Sequence, residues 1–411
     1  MKTADLKKCY ELKAELLVGG IHVIPPFPDL DFKYVIKSLY GYEKSKSDFI
    51  YPQEIILVPE AKEEVAFHCT VRRNDQSPWK LLFRDSGYFL EKDNVSFSVG
   101  VPPKPPFYDV TLMIGTNQIH VSNYVQKLGQ DLLAIVIFNS CEYYSRNVQC
   151  AFCEIAETYK ENRHLPRPKK NITETAYAIC YALSHDHSLK GLLINGGNLS
   201  KSNDHTYLEI IRLLDEIKKI GGESLLKDLD IGTIVMAPQN FQLLSEIRQA
   251  GVTEIYLNLE FWQEEKFLTF TPGKAGYGRE RFFEILQEAV KVFGRGSVYS
   301  NLIYGVQSIS LTPPYQYDPD MEERILLEGL DALASIDVVL TNTIYHSSGK
   351  NKLGPISIDA DSLSQYHLAY GKKMNKMDLL TSKCSKRNSV FGRMGSFPNS
   401  LNNEAYYVSK K

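Results

Sequence analysis

The sequence predicts an α/β protein with a parallel sheet of six strand–helix units, preceded by a β-rich N-terminal domain. From about residue 130, six apolar runs alternate with six segments of helical periodicity. The first 125 residues instead carry short β-branched and aromatic runs between turn residues. Six units in series favour an incomplete barrel or a doubly wound sheet. In either arrangement, ligands bind at the carboxyl ends of the strands.

The composition of the 411-residue chain is that of a globular protein, with 43% hydrophobic and 23% charged residues. Its 47 basic and 49 acidic side chains give a net charge of −2, which argues against nucleic acid as a partner. No apolar run approaches the length of a membrane span, and the first residues lack a signal-peptide pattern, so we expect no membrane partner. Seven cysteines, three of them clustered, predict a reduced, cytoplasmic and metal-binding protein.

Three regions are predicted along the chain. Residues 1–125 form the β-rich domain, with runs such as 54–58 and 65–69, and a proline cluster at 102–106 is a candidate connector. Residues 126–380 form the strand–helix region. Residues 381–411 are polar and rich in serine, asparagine and basic side chains, which is typical of a lid or of a disordered tail.

The predicted parallel strands are continuous apolar runs, as expected where both faces of a sheet are covered. They lie at Asp131–Ser140, Gly191–Asn195, Gly232–Ala237, Glu254–Glu260, Val298–Gly305 and Asp337–Tyr345. Helical patterns cover residues 174–185, 206–220, 240–250, 279–293, 321–335 and 361–377. Glycines follow the second, third and fourth of these helices, as expected for helix ends. The segment from Asn171 to Glu174 resembles a capping box before the first helix.

Cys141, Cys150 and Cys153 directly follow the first of these strands. The two-residue spacing lets Cys150 and Cys153 bind one centre, and the eight-residue loop can return Cys141 as a third ligand. Thiolates suit zinc or an iron–sulfur cluster. Structural zinc requires four ligands, and His164 is the nearest further candidate. Three thiolates on a [4Fe-4S] cluster leave one iron open. The pattern favours the cluster, with zinc and unligated core cysteines as alternatives.

This cysteine loop, with Phe152 just before its last cysteine, resembles that of the radical S-adenosylmethionine (SAM) enzymes. Their commonest loop has three residues between the first two cysteines, whereas this one has eight. The resemblance covers about residues 130–380 and implies a partial (β/α)6 barrel of radical SAM type. It also implies two cofactors, a [4Fe-4S] cluster and SAM, and an electron donor of low potential such as flavodoxin or ferredoxin.

The resemblance further implies residues that bind SAM. Asn195, Gly196 and Gly197 close the second strand and resemble the glycine element whose backbone takes the methionine amino group, where missing Cβ atoms allow close approach. Asn258 and Glu260 share one face of the fourth strand by alternation. They resemble the polar pair that contacts the ribose hydroxyls and the methionine part.

Five more residues complete the expected site. Arg279 or Arg281, near a helix N-terminus, would bind the methionine carboxylate. Ile303 in the fifth strand resembles the segment that packs on adenine, and Phe152 belongs to the same set of nucleotide contacts. His346, after the sixth strand, is a candidate catalytic residue. Each of these side chains also has a plainer interpretation as a loop, core or structural residue.

The function implied by the resemblance is hydrogen abstraction from a small-molecule substrate in cofactor or natural-product biosynthesis. The abstracting species is the 5′-deoxyadenosyl radical that reductive cleavage of SAM supplies. Two other classes stay open at this point. One is a barrel enzyme with structural zinc at the cysteine loop, and the other is a non-catalytic iron–sulfur protein for electron transfer.

Overall fold

A computed structural model describes residues 3–30, 51–58, 66–161, 169–199, 202–347, 349–379 and 398–409. The first of these segments opens with a helix that the sequence analysis did not predict, α1 (Thr3–Gly19). Tyr10 and Lys13, on this helix, are both fully buried. The N-terminal region is therefore not built of strands alone.

The strands of the N-terminal region form small units that are antiparallel except for the pairing of β1 with β4, which is parallel. A four-stranded sheet has the order β1-β4-β5-β6, and two hairpins are formed by β2 with β3 and by β7 with β8. Their bounds are β1 (His22–Val23), β2 (Glu54–Leu57), β3 (Phe67–Thr70), β4 (Lys80–Arg84), β5 (Gly87–Lys92), β6 (Val95–Val99), β7 (Thr111–Ile114) and β8 (Asn117–His120).

The central sheet contains the six predicted parallel strands in chain order, with one antiparallel strand at its first edge. The bounds are β9 (Gln126–Leu128), β10 (Leu132–Phe138), β11 (Gly191–Gly196), β12 (Asp230–Val235), β13 (Glu254–Leu257), β14 (Val298–Asn301) and β15 (Val339–Thr341). All seven residues of β10 are buried, as its unbroken apolar run requires. The order never reverses, so right-handed crossovers put the helices on one face of the sheet. The doubly wound alternative is thereby excluded, and the predicted partial barrel is confirmed.

Ten helices among the described residues follow α1, and six of them match the predicted helical segments. The bounds are α2 (Glu142–Ser145), α3 (Ile155–Glu161), α4 (Ile172–His185), α5 (Asp204–Gly221), α6 (Gln242–Ala250), α7 (Glu264–Phe270), α8 (Arg279–Phe293), α9 (Pro319–Ser335), α10 (Ala360–Met377) and α11 (Asn402–Val408). None of the helices in the described segments is both long and apolar enough to cross a membrane.

The predicted capping box before α4 is present in one direction only. Asn171 Oδ1 accepts the Glu174 N–H at 3.1 Å. The Glu174 carboxylate does not return to Asn171, because it accepts hydrogen bonds from Asn117 and from the Tyr124 hydroxyl. Glu174 therefore ties the N-terminal region to the first helix of the barrel.

The described part of the C-terminal region packs on the barrel and on α1. Lys13 and Glu404 form a buried ion pair at 2.5 Å between α1 and α11. Tyr10 donates to the Ser364 carbonyl of α10 at 2.7 Å. Residues 398–409 are therefore a docked segment, while 380–397, which include Cys384, lie outside the described residues. The domain bounds at 125 and 380 stay predictions.

Candidate functional site

A cavity of about 290 Å³ opens at the carboxyl ends of the parallel strands. Cys141, Cys150 and Cys153 all line it, together with residues that follow β11, β13, β14 and β15. The structure thus brings the three predicted ligands to the end of the sheet where a barrel of this topology places its chemistry. His164, the spare zinc ligand considered from the sequence, lies outside the described residues.

The cysteine loop is held by hydrogen bonds from several neighbours. Cys141 is the N-cap residue of α2, and the Asn198 N–H points at its Sγ at 3.4 Å. The Ala151 N–H donates to the Phe270 carbonyl at 2.8 Å, and the Tyr144 hydroxyl donates to the Cys153 carbonyl. The loop is therefore fixed to both β11 and α7 before any ligand binds.

Two glycines at the end of β11 allow the cysteine loop to lie close to this strand. A Cβ on Gly197 would stand 1.9 Å from the Ser140 carbonyl oxygen and 2.7 Å from Cys141 Cβ. A Cβ on Gly196 would stand 3.0 Å from the Phe138 nitrogen. Both positions line the cavity, so glycine here serves the packing of the first cysteine as well as access to the backbone.

All three thiols line one cavity. Within the described segments, no group of three or more His, Cys, Asp or Glu side chains is placed to hold a metal ion. A single zinc ion needs its ligands within about 2.3 Å of one centre. An iron–sulfur cluster binds each cysteine through a different iron, so its thiolates stand farther apart. Three cysteine thiols are a donor set that suits a cluster with one iron left open, whereas a closed zinc site would require a fourth ligand.

Burial raises the pKa of all three thiols, to about 11 for Cys153. The nearby Lys274 ammonium opposes this increase at Cys141 and Cys150. The thiols are therefore protonated at neutral pH in the metal-free chain, and metal binding must release their protons.

A polar network fills the wall between β13, β14 and β15. The Glu260 carboxylate accepts from Lys274 Nζ at 3.1 Å and from Asn301 Nδ2 at 2.9 Å. Asn258 Oδ1 accepts the Asn301 N–H at 3.2 Å, and Asn301 also donates to Thr343 Oγ1. Asn258 and Glu260 both line the cavity, although β13 ends at Leu257 and strand alternation does not extend to them.

The Glu260 backbone has φ of +71°, an unusual conformation for a residue with a Cβ. Hydrogen bonds with the β14 region hold it there, since its N–H donates to Asn301 O at 2.7 Å and its carbonyl accepts the Ile303 N–H at 3.1 Å. Such backbone strain costs about 1–3 kcal/mol. This conformation turns the chain after β13, so that the Glu260 carboxylate joins the polar network.

The arginines predicted to bind a carboxylate lie away from the cavity wall. The Arg279 guanidinium stacks on Trp262 at 3.9 Å, and Arg281 stacks on Phe241 at 4.7 Å. Neither lines the cavity, whereas Lys274 of the same loop does. Lys274 is buried, and its Nζ donates to the Asn258 carbonyl at 2.6 Å. The sequence analysis assigned the carboxylate to the arginines.

Phe152 and Ile303 form apolar parts of the same wall. Phe152 packs on Phe261 with ring centroids 6.1 Å apart, and its carbonyl accepts from Asn351 Nδ2 at 3.2 Å. Ile303 is 5% exposed. The two side chains leave an apolar surface between the cysteine loop and the end of β14.

The cavity wall contains three residues from distant parts of the chain, and the sequence analysis missed two of them. Predicted His346 lines the cavity and is exposed to it, while Arg72 and Asn399 were not expected there. Although part of its surface is exposed, the protein groups packed around the His346 ring desolvate it, and this desolvation and the Arg72 charge lower its pKa, so the ring is neutral at pH 7. No local pattern marks Arg72 or Asn399, because only the folded chain brings them to the barrel.

Comparisons with known proteins find only weak similarity. No protein-family model matches the chain, and no curated protein matches it. Among solved structures, methylornithine synthase (PylB) is 11% identical, with a TM-score of 0.43, and the match covers 69% of this chain and 70% of that one. The FeFe-hydrogenase maturase HydG from Carboxydothermus hydrogenoformans is 14% identical, with a TM-score of 0.40, over 57% of this chain and 49% of that one.

A third similar structure belongs to a protein that bears the name of the family suggested by the cysteine loop. The radical S-adenosylmethionine methyltransferase TsrM from Kitasatospora setae, with cobalamin and a [4Fe-4S] cluster bound, is 12% identical. Its TM-score is 0.37, over 55% of this chain and 39% of that one. The chain thus spans half or less of the length of HydG and TsrM. Similarities of this size carry no argument about function, which depends on the site itself.

Proposed function

We propose that the protein is a radical SAM enzyme that abstracts hydrogen from a small-molecule substrate. The observation that carries the proposal is the convergence of Cys141, Cys150 and Cys153 on one cavity at the carboxyl ends of the parallel strands. When bound there, a reduced [4Fe-4S] cluster supplies the electron that cleaves SAM to methionine and a 5′-deoxyadenosyl radical.

The three thiolates would hold the cluster, and the fit is supported by the donor set. The Asn198 N–H already points at Cys141 Sγ at 3.4 Å, a contact that favours a thiolate. Hydrogen bonds of Tyr144 and Asn198 hold the two ends of the loop at the cavity. Three protein ligands leave one coordination position for a ligand that is not part of the chain.

The chain's own groups would orient SAM beside this position. The backbone after β11, at Gly196 and Gly197, is open to the methionine amino group because no Cβ intervenes. We assign the methionine carboxylate to Lys274 rather than to Arg279 or Arg281, since Lys274 lines the cavity and the arginines do not. Glu260, held by Lys274, is an acceptor for hydroxyl groups.

Phe152 and Ile303 would pack on the adenine, and their apolar surfaces would keep water from the reacting centre. The substrate would occupy the remaining wall, which includes His346. We further propose a place in cofactor or natural-product biosynthesis and a reductant such as flavodoxin or ferredoxin. These assignments rest on the resemblance of the cysteine loop and on the lining of the cavity.

Anaerobic purification and chemical reconstitution test the proposal. The expected result is a brown protein with about four irons per chain that releases 5′-deoxyadenosine when reduced in the presence of SAM. A colourless protein that carries one zinc would support the structural-zinc alternative. A brown protein that cleaves no SAM would support an electron-transfer role.

Cysteine variants test whether the cysteine loop holds the cluster. Cys150→Ala is expected to lose the cluster and SAM cleavage, because two remaining thiols cannot hold it. Cys180→Ala is the matched control, since Cys180 is a buried cysteine of α4 that does not line the cavity. Full iron content and full cleavage in Cys150→Ala would show that the ligands are assigned wrongly.

A further inference from the structure

Asn203 is the N-cap residue of α5, and it is only 3% exposed. An asparagine in this position usually accepts a hydrogen bond from the second or third backbone N–H of its helix. The Asn203 side chain makes no such bond with α5, a helix that the structure describes from end to end. Its buried amide therefore serves contacts outside its own helix.

Four hydrogen bonds saturate the Asn203 amide. Its oxygen accepts from Asn198 Nδ2 at 2.7 Å and from the Tyr143 hydroxyl at 3.4 Å. Its nitrogen donates to the Ala237 carbonyl at 3.0 Å and to the Tyr277 hydroxyl at 2.6 Å. A carbonyl can only accept, so the Ala237 contact fixes which end of the amide carries the nitrogen. Both donors and both acceptor positions of the side chain are thus in use.

Two of these partners hold the segment that contains the first cysteine of the loop. The Asn198 N–H points at Cys141 Sγ at 3.4 Å, and the Asn198 carbonyl accepts the Glu142 N–H at 2.8 Å. Tyr143 follows two residues after the cysteine and is buried. The Asn203 amide therefore contacts the residues that determine where the Cys141 sulfur lies.

A third partner connects the amide to the Lys274 loop, which is the loop between α7 and α8 that carries Lys274. Tyr277 belongs to this loop, and its N–H donates to the Lys274 carbonyl at 3.0 Å. The Tyr143 ring lies against Gly273 of the same loop, where a Cβ would stand 2.5 Å from the ring. The cysteine loop and the Lys274 loop are thus packed on each other, and Asn203 is bonded to both.

We infer that Asn203 is a positioning residue that fixes Cys141 relative to the Lys274 loop. The inference rests on the function proposed above, in which Cys141 binds the cluster and Lys274 binds the SAM carboxylate. Asn203 does not line the cavity, so it acts through Asn198 and Tyr143. A donor at a ligand sulfur stabilises the negative charge that reduction adds to a cluster, so this contact would also raise the cluster potential.

Hydrogen exchange in the metal-free full chain tests the positioning directly. The variant is Asn203→Ala, and the readout is the exchange rate of the Glu142 backbone amide, measured by mass spectrometry. This amide is expected to exchange about tenfold faster than in the parent, because its acceptor, the Asn198 carbonyl, is no longer held in place.

Asn342→Ala is the matched control. Asn342 is equally buried, donates to the Leu302 carbonyl at 2.8 Å, accepts from the Tyr366 hydroxyl at 2.7 Å, and does not line the cavity. Both variants should lose stability in thermal unfolding, but only Asn203→Ala should speed exchange at Glu142.

A redox titration of the cluster-loaded chain, followed by electron paramagnetic resonance, gives the second readout. Asn203→Ala is expected to shift the cluster potential to a lower value, and Asn342→Ala is expected to leave it unchanged. Should Asn203→Ala fail to fold, Asn203→Asp keeps the oxygen that accepts from Asn198 and Tyr143 and loses only the donors. Its Glu142 amide should exchange at a rate between those of the parent and of the fully exposed amide.

Three results would overturn the inference. The Glu142 amide could exchange at the parental rate in the Asn203 variants, Asn342→Ala could speed it equally, or Asn203→Ala could leave the cluster potential unchanged. The exchange measurement needs no cluster, so it separates the two hypotheses. Faster exchange at Glu142 in a protein whose parent binds no iron would refute the proposed function and leave the positioning of Cys141 intact.

Discussion

Alanine at position 197 is expected to displace the first cysteine of the loop. The added Cβ would stand 1.9 Å from Ser140 O and 2.7 Å from Cys141 Cβ, where real Cβ contacts essentially never fall below 3.0 Å. The neighbouring atom is backbone, so the segment between Ser140 and Cys141 must move by about 1 Å or more. Overpacking of this kind costs about 1–3 kcal/mol of stability.

A displacement of about 1 Å at a reacting centre can reduce a rate by about 10²-fold. We therefore expect Gly197→Ala to fold, to bind substoichiometric iron, and to release 5′-deoxyadenosine about 10²-fold more slowly. The assays are iron content after reconstitution, product formation under dithionite, and thermal unfolding.

Gly276→Ala is the matched control, because a Cβ there meets nothing within 4 Å and the residue lies in the loop that follows α7. A Gly197→Ala protein with the iron content and rate of Gly276→Ala would refute the argument that this glycine positions the cysteine loop. A Gly197→Ala protein that loses stability but keeps its full iron content would show that this glycine matters for packing and not for binding of the cluster.

Three further predictions concern buried lysines. Burial lowers the pKa of Lys170 from 10.5 to about 7, so the unfolded chain binds a proton that the folded chain lacks between pH 7 and pH 10.5. Stability should therefore rise with pH across that window, with the full penalty below pH 7. Lys170→Met should flatten this dependence and stabilise the protein at pH 7 by on the order of 2–4 kcal/mol in denaturant titrations. An unchanged pH slope would contradict this. Lys274→Met removes one partner of the buried pair with Glu260, which costs about 3–5 kcal/mol, and should weaken SAM binding in equilibrium dialysis. Unchanged SAM affinity would exclude Lys274 as its partner. Lys13→Met leaves the Glu404 carboxylate buried alone and should expose α11 to proteolysis, while the double variant Lys13→Met/Glu404→Leu should restore protection. Equal protection in the single variant would show that the pair does not dock α11.

The barrel could be predicted from the sequence because its signal is local. Each parallel strand is a continuous apolar run, and glycines follow several helices, so periodicity alone locates six strand–helix units. Helix α1 was missed although Gly19 and Gly20 mark its end. It is buried on several sides, with even Lys13 fully covered, so its polar and apolar residues do not separate into two faces.

Site residues that directly follow a strand could be predicted from the sequence. Residues whose place in the site depends on the direction of the side chain could not. Asn258 and Glu260 follow β13 directly, at the end of the sheet where the cavity lies, although the positive φ of Glu260 could not be read from the sequence. Arg279 begins α8, and its guanidinium stacks on Trp262, an aromatic partner from another loop that no local spacing reveals. Arg72 and Asn399 could not be predicted for the same reason. Their neighbours in the cavity lie far away in the sequence and belong to other elements.

The ion pair between α1 and α11 bears on how this chain can be shortened. A fragment of residues 126–379 would keep all six parallel strands and the three cysteines, yet it would lack Arg72 and Asn399. Such a fragment would therefore lack part of the cavity wall. Minimising this protein to its barrel would preserve the three cysteines and open the cavity on the side that the two ends of the chain close.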